Sequence, residues 1–204
     1  MDDPETGLEE RLDAAAAAIR RGQLVVYPTE TVYGLGADAN DPEAVERVFR
    51  AKRRSRDDPL SLAVPDVEAA LAYVRPDDPD RVRTFMDAFL PGPVTVVCAK
   101  APDVPDAITG GRDRVGVRVP DHGVALALLE RVSPVTATSA NVSGRPSATS
   151  VDELDPEIRE AVAVVVDGGE TPGGGSTVVD PERGVVHRRG ALAEEVQAWL
   201  DASD

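Results

Sequence analysis

Apolar positions along the chain switch repeatedly between helical and strand spacing. Leu8, Leu12, Ala15, Ala16 and Ile19 share one side of a helix drawn over 8–21. The alanine run Ala14–Ala18 favours that helix, and Gly22 ends it. Leu24–Tyr27 is a short apolar run stopped by Pro28, which predicts a strand. Over 42–52 the pattern turns helical again, with Asp41 as N-cap, Pro42 at the first position and Val45, Val48 and Phe49 on one face. Leu60–Val64 then reads as a strand, and 66–74 and 78–90 as helices. Strands are predicted at Val94–Ala99 and Val115–Val119, followed by an amphipathic helix over 121–132. Val135–Thr138 reads as a strand and Ala161–Val166 as a buried one. Ser176–Asp180 and Gly184–Arg188 read as strands joined by a turn, and 191–201 as a last helix carrying Leu192, Val196, Trp199 and Leu200. Helices and strands mix throughout, and the adjacent strands near 176–188 suggest a hairpin. The expectation is a single α/β domain over 1–204 with a mixed sheet, not a purely parallel one.

Composition narrows the class. The chain has 204 residues, 42% of them hydrophobic, enough for a real core. No apolar run approaches the ~18–20 residues that span a bilayer. The acidic start MDDPETGLEE lacks a signal-peptide pattern. Cys98 is the only cysteine, which excludes an internal disulfide and multi-cysteine metal sites. These features predict a cytoplasmic enzyme or binding protein without membrane partners.

Charge adds a further constraint. Thirty-seven Asp and Glu oppose 22 Lys and Arg, for a net −15, and only Lys52 and Lys100 are lysines. Such an acidic, lysine-poor surface suits a salt-rich, halophilic cytoplasm. It argues against a general nucleic-acid binder but says nothing about a local basic site.

Familiar motifs fail. Gly34–Ala39 imitates a dinucleotide fingerprint but starts too far beyond its strand. The glycine-rich 168–177 lacks the P-loop lysine and leads into a strand, so it reads as a flexible loop. His122 and His187 are the only histidines, and no residue cluster has metal-ligand spacing. No G-x-S-x-G elbow occurs.

Four polar stretches remain. Tyr27–Gly36 places two threonines, a glutamate and two tyrosines after a strand, as a ligand loop or a capped turn. Arg50–Arg56 holds five cations in seven residues, either a solvated face or a polyphosphate site. Arg114 and Arg118 are four apart on one strand and so share a sheet face; their partner is an anionic ligand or an internal carboxylate. Ser139 and Asn141 alternate onto one side, for anion orientation or for a turn.

Together these stretches resemble the YrdC-like threonylcarbamoyl-AMP synthase family over about residues 8–192. PTETVYGLG at 28–36, the K-x-R element Lys52-Arg53-Arg54, PGPVTVV at 91–97, VGVRVP at 115–120, TSANVSG at 138–144 with the S-x-N element Ser139-Ala140-Asn141, and STVVD at 176–180 agree in order. The resemblance implies a twisted mixed sheet flanked by helices, with a large concave cavity. It also implies synthesis of L-threonylcarbamoyl-AMP and pyrophosphate from L-threonine, bicarbonate or CO2, and ATP with Mg2+. A separate tRNA-modifying transferase complex uses that product. By the same resemblance, Lys52, Arg54, Ser139 and Asn141 are catalytic and bind ATP. Thr31, Arg118 and Ser176 meet threonine, and Asp58, Arg114 and Arg188 lie on the nucleotide side, Arg188 within an R-x-G element. No metal ligands are implied, since Mg2+ would bind through phosphates and water.

Two departures from the family stand out. Ala63 replaces a usual histidine, and the chain ends soon after the synthase-like region, which would leave loop 168–175 to close the site. The competing readings are a module of the same fold that binds double-stranded RNA or tRNA without chemistry, and a carbamoyl-phosphate-based adenylation. The latter ordinarily accompanies zinc-finger cysteines, which this sequence lacks.

Overall fold

The computed structural model describes residues 4–202, so the expected bounds 1–204 extend past the described residues at both ends. The alanine-rich segment forms α1 (Pro4–Arg20), and α2 (Pro42–Lys52) begins on the predicted Asp41 cap, whose carboxylate accepts from Glu43 N at 2.9 Å. Asp66 and Asp78 cap α3 (Val67–Ala72) and α4 (Pro79–Phe89) in the same way. Two short helices were not anticipated, α5 (Asp106–Thr109) and α7 (Pro156–Ala161); four to six residues are too few to display a period. The predicted helices over 121–132 and 191–201 are α6 (Gly123–Arg131) and α8 (Ala193–Ala202).

Among the described residues, nine strands form two sheets rather than one. The small sheet has the order β2-β1-β7, with β1 (Leu24–Tyr27) antiparallel to β2 (Gly34–Gly36) and parallel to β7 (Val162–Val165). The large sheet runs β6-β3-β5-β4-β8-β9, from β3 (Ser61–Ala63), β4 (Val94–Ala99), β5 (Arg114–Arg118), β6 (Val135–Ala137), β8 (Thr177–Asp180) and β9 (Val185–Arg188). Pairs β3/β5 and β4/β8 are parallel; β3/β6, β4/β5 and the predicted hairpin β8/β9 are antiparallel. Bridges Gly34–Ser139 and Asp38–Val135 join the edge of the small sheet to the edge of the large one. The segment read as a loop after Tyr27 is thus a hairpin whose return strand touches the S-x-N element. β7 was expected to be buried but is half-exposed on one side of the small sheet.

The two faces of the large sheet differ. Leu62, Val96, Cys98, Val115, Val117 and Val179 are buried in one apolar core with Ala70, Phe85, Met86, Val196 and Leu200 from α3, α4 and α8. Alternate residues on the other face, Ser61, Val97, Arg118, Ala137 and Val178, are only half-buried. Period-two alternation therefore leaves this face less deeply buried, although Ala63 and Val135, at its β3–β6 end, pack against α1 and α6. Its middle is kept shallow by Gly116, where a Cβ would stand 2.4 Å from Ser61 Oγ. Cys98 points into the core, where burial pushes its thiol up to about 12, so it offers no thiolate for chemistry.

Candidate functional site

The K-x-R element is built by a helix end. Lys52 is the last residue of α2, and Arg53 follows in the left-handed region at φ 50°. Arg53 N donates to Arg50 O at 3.1 Å and Arg54 N to Phe49 O at 3.0 Å, the two bonds that close a helix C-terminus. That reversal sends three consecutive cations in three directions. Arg53 turns outward to Glu157, 2.5 Å away. Arg54 spans its own loop, donating to Asp58 O at 3.0 Å and Pro59 O at 3.1 Å. Lys52 turns inward and is 1% exposed. Arg50 and Arg56 meet Glu46. The solvated-face reading of 50–56 therefore holds for Arg50, Arg53 and Arg56, and leaves Lys52 and Arg54 for other work.

Lys52 Nζ donates to Ser139 O, to Asn141 O at 2.8 Å and to Asn141 Oδ1 at 3.3 Å. Three donors meet three acceptors, so the ammonium is fully used within the protein. These contacts make Lys52 a clamp on the S-x-N turn. Ser139 Oγ also donates to Asn141 Oδ1, and Asn141 Nδ2 donates to Val142 O at 3.0 Å and Arg145 O at 2.8 Å. Burial and then the charge of Arg54 lower the Lys52 pKa to about 8, against an opposing pull from Asp155.

The β1–β2 loop carries the second group. Thr29 Oγ1 donates to Val32 O at 2.7 Å, which tightens the loop around Thr31. Arg118, projecting from the open face of the large sheet, donates through Nη2 to Thr31 Oγ1 at 3.0 Å and to Glu30 Oε1 at 2.8 Å. The glycine-rich loop lies against the same hairpin and is anchored there. Gly173 N donates to Thr31 O at 2.7 Å, Tyr33 OH to Gly169 O at 2.7 Å, and Thr171 N to Thr149 O at 2.8 Å. The segment 168–175 has no helix or strand, as expected of a loop, and these hydrogen bonds tie it to the hairpin and to Thr149.

The third group is Ser176 with Arg188. Ser176 is buried, 3.1 Å from Thr95 Oγ1, and takes Arg188 Nη2 at 2.8 Å on its hydroxyl and Arg188 Nε at 3.1 Å on its carbonyl. The R-x-G spacing has a steric cause. Ala191 N donates to Gly175 O at 2.9 Å, drawing the chain so close that a Cβ on Gly190 would stand 2.1 Å from Gly175 O. Gly190→Ala is therefore expected to destabilise the fold by about 2 kcal/mol or more. A shift in the chemical-denaturation midpoint checks it.

Arg54, Arg118 and Arg188 feel one another: burial, then the charges of Arg118 and Arg54, hold Arg188 below the ordinary guanidinium range. Among the described residues, no carboxylate lies within ion-pairing distance of Arg54 or Arg188; Arg118 has Glu30. Arg114 does not join them. It lies at the other end of β5, 2.6 Å from Asp180 Oδ2 and 3.3 Å from Glu182 Oε2. The shared face is as predicted, but both strand arginines take internal carboxylates. The Asp58 side chain is exposed, beside the loop that Arg54 holds. Two open cavities, of about 430 and 740 Å3, lie elsewhere and are not lined by Lys52, Arg54, Arg118 or Arg188. No group of three or more His, Cys, Asp or Glu among the described residues could hold a metal ion. No described helix is long and apolar enough to cross a membrane.

Sequence reasoning missed the roles of Glu30, Thr95 and Asp155. Asp155 accepts from Val142 N at 2.9 Å and ion-pairs with Arg145 at 2.8 Å, bracing the S-x-N turn. Glu30 and Thr95 sit inside the PTETVYGLG and PGPVTVV stretches. A buried-polar count there would have raised both; nothing in the sequence marks Asp155.

Comparison with known proteins adds the following. The family model Sua5_yciO_yrdC, described as telomere recombination, matches residues 17–190. A threonylcarbamoyl-AMP synthase of Pyrococcus abyssi is 44% identical over 174 residues, 84% of this chain and 51% of that protein. The human threonylcarbamoyl-AMP synthase is 33% identical, over 95% of this chain and 72% of that protein. Among solved structures, P. abyssi Sua5 complexed with L-threonine superposes with a TM-score of 0.83 at 40% identity, covering 93% of this chain and 57% of that one. E. coli YciO superposes at 0.77 with 28% identity, covering 93% and 92%. The chain spans about half the length of the Pyrococcus synthase and of a Bacillus subtilis one.

Proposed function

The chain belongs to the Sua5/YciO/YrdC family, and from that premise we propose that it is an L-threonylcarbamoyladenylate synthase. It would join L-threonine, bicarbonate or CO2, and ATP into threonylcarbamoyl-AMP, with release of pyrophosphate. The observation that carries this reading is that the charges of Arg118 and Arg54 both bear on Arg188, with Glu30 as the one carboxylate ion-paired to any of the three among the described residues. Such a trio calls for a polyanion together with a small carboxylate. The names of the relatives and the threonine bound to P. abyssi Sua5 support the choice of ligands.

In this mechanism the amine of threonine takes up CO2 as a carbamate. A carbamate oxygen then attacks the α-phosphorus, and the bond to the bridging oxygen breaks as pyrophosphate leaves. Catalysis is mostly positioning and charge stabilisation. Arg118, with Thr31 and Ser176, would hold the threonine carboxylate. Arg54 and Arg188 would hold the phosphates, and Lys52 would support them through its charge and by fixing Ser139 and Asn141. Ser139 would orient a nucleotide or carbamate oxygen. Asp58 would stay at the edge of the nucleotide site, and Arg114, engaged with Asp180 and Glu182, is assigned no side-chain contact. Mg2+ would enter with the nucleotide. Apart from Glu30, which is paired with Arg118, and Asp58 at the edge, the gathered side chains are cationic or neutral and so fit phosphate rather than the ion, whose ligands would be phosphate oxygens and water. The product would pass to a transferase acting on tRNA. The ion pairs that occupy Arg50, Arg53 and Arg56 favour a nucleotide over an RNA backbone as the anion here.

Pyrophosphate release from MgATP should require threonine and bicarbonate together. Release that is indifferent to threonine would refute this reading.

A further inference from the structure

Glu30 presents a problem that the mechanism above leaves unsolved. It stands beside Thr31, on the loop that meets Arg118, and its side chain is 13% exposed. One oxygen takes Arg118 Nη2 at 2.8 Å, while the other, Oε2, is buried with no hydrogen-bond partner. Arg118 Nε is likewise buried and unpartnered, as is Nδ1 of the neighbouring His122, on which Glu30 exerts its charge. Buried charged groups are rarely left with open hydrogen-bonding positions unless something fills them.

The pattern of vacancies describes a ligand. Arg118 needs an acceptor and Glu30 needs a donor, and the two sit on a single ion pair. A plain carboxylate would satisfy Arg118 and be repelled by Glu30. A plain amine would do the reverse. A group carrying both charges on adjacent atoms, an α-amino acid zwitterion, satisfies both. With the ion pair in place, Arg118 Nε and Glu30 Oε2 are the two atoms left for such a ligand's carboxylate and ammonium.

We propose that the carboxylate of Glu30 binds the ammonium group of the amino-acid substrate, so that Glu30 and Arg118 together select a zwitterion. This rests on the threonine reading above and extends it from the carboxylate to the amine. Glu30 would hold the ammonium beside the CO2 it must capture; one N–H proton would leave to solvent before the nitrogen attacks the CO2 carbon, and a second as the carbamate forms, so Glu30 would position the nitrogen for the step before adenylation.

The test is calorimetric binding of L-threonine and of (2S,3R)-2,3-dihydroxybutanoate, its analogue with hydroxyl in place of amine, to wild type and to Glu30→Gln. Wild type should bind threonine at least ~30-fold more tightly than the hydroxy acid, the scale of one charge-assisted contact. Glu30→Gln should lose at least ~10-fold in threonine affinity and leave the hydroxy acid unchanged or tighter. Equal binding of both ligands by wild type overturns the proposal, as does an equal loss for both in the variant, which would mean that Glu30 merely holds Arg118. If wild type binds neither ligand, the threonine reading falls and this one with it. The wild-type pair decides the matter even if Glu30→Gln does not fold.

Discussion

Arg188→Ala should cut pyrophosphate formation at least ~100-fold through lost ATP binding, with no fall in melting temperature. The two halves of that expectation have one cause. Arg188 is held only by Ser176, through its hydroxyl and carbonyl, and has no carboxylate within ion-pairing distance among the described residues. Its charged neighbours Arg118 and Arg54 disfavour its charge. Removing it relieves that repulsion, against the loss of one bond to the Ser176 carbonyl and one to a hydroxyl that still has Thr95 for a partner. Folding should therefore be indifferent or slightly improved. A triphosphate, by contrast, loses a bidentate contact in the place where negative charge must accumulate. Arg188→Lys should recover only part of the affinity, because a point charge does not reproduce the planar fork. A thermal melt and an ATP titration on the same samples check it. A variant that melts well below wild type yet binds ATP normally would show that Arg188 is a structural strut.

Lys52→Ala is expected to damage both folding and turnover. The loss of stability should be about 3 kcal/mol, since three acceptors at Ser139 and Asn141 lose a charged donor and a cavity opens in its place. Turnover should drop by ~100-fold or more as the S-x-N turn loses its clamp. The pH dependence of wild type supplies a second signature. The folded pKa is about 8, below the ordinary lysine value of 10.5. Between those values the unfolded chain keeps the proton that the folded one has lost. The contribution of Lys52 to stability therefore rises with pH through that window and is flat below it. The site, however, loses its positive charge over the same range. Activity should fall above pH about 8 while this part of the stability rises. Pyrophosphate rates across pH 6–10, beside urea midpoints at each pH, check it. A rate that stays flat through pH 9–10 would exclude a role for the lysine's charge.

The strands at Leu24–Tyr27 and Val94–Ala99 were legible to the residue, because apolar runs, broken in the second case only by Thr95 and bounded by proline and polar residues, have few other uses. The Asp41-Pro42 start of α2 was equally plain, since a cap is a local hydrogen bond written in adjacent residues. Gly34–Gly36 was not legible as a strand. Two glycines and a leucine have little strand preference of their own, and the segment is ordered by partners at Val25–Tyr27 and at Thr138–Ser139, a hundred residues away in the latter case. The single expected sheet divided in two for the same reason: pairing is decided between strands, not within them.

The candidate site divides along the same line. Residue type and order alone determined that cations concentrate in 50–56 and at Arg114, Arg118 and Arg188. Alternation on β5 further determined that Arg114 and Arg118 leave the same face. Whether each cation meets a ligand, a carboxylate or the interior was decided only by the tertiary structure. Arg114 was drawn to Asp180 and Glu182 by β8, two strands away in the sheet and some seventy residues on, and by the turn that follows it. Arg53 was turned to the surface and Lys52 into the protein by one left-handed residue at the end of a helix. Arg54, Arg118 and Arg188 were brought together from three separate segments. A charge's role depends on which other charges lie within a few ångströms of it and how much water lies between. Both are properties of the folded arrangement, which no local stretch of sequence contains.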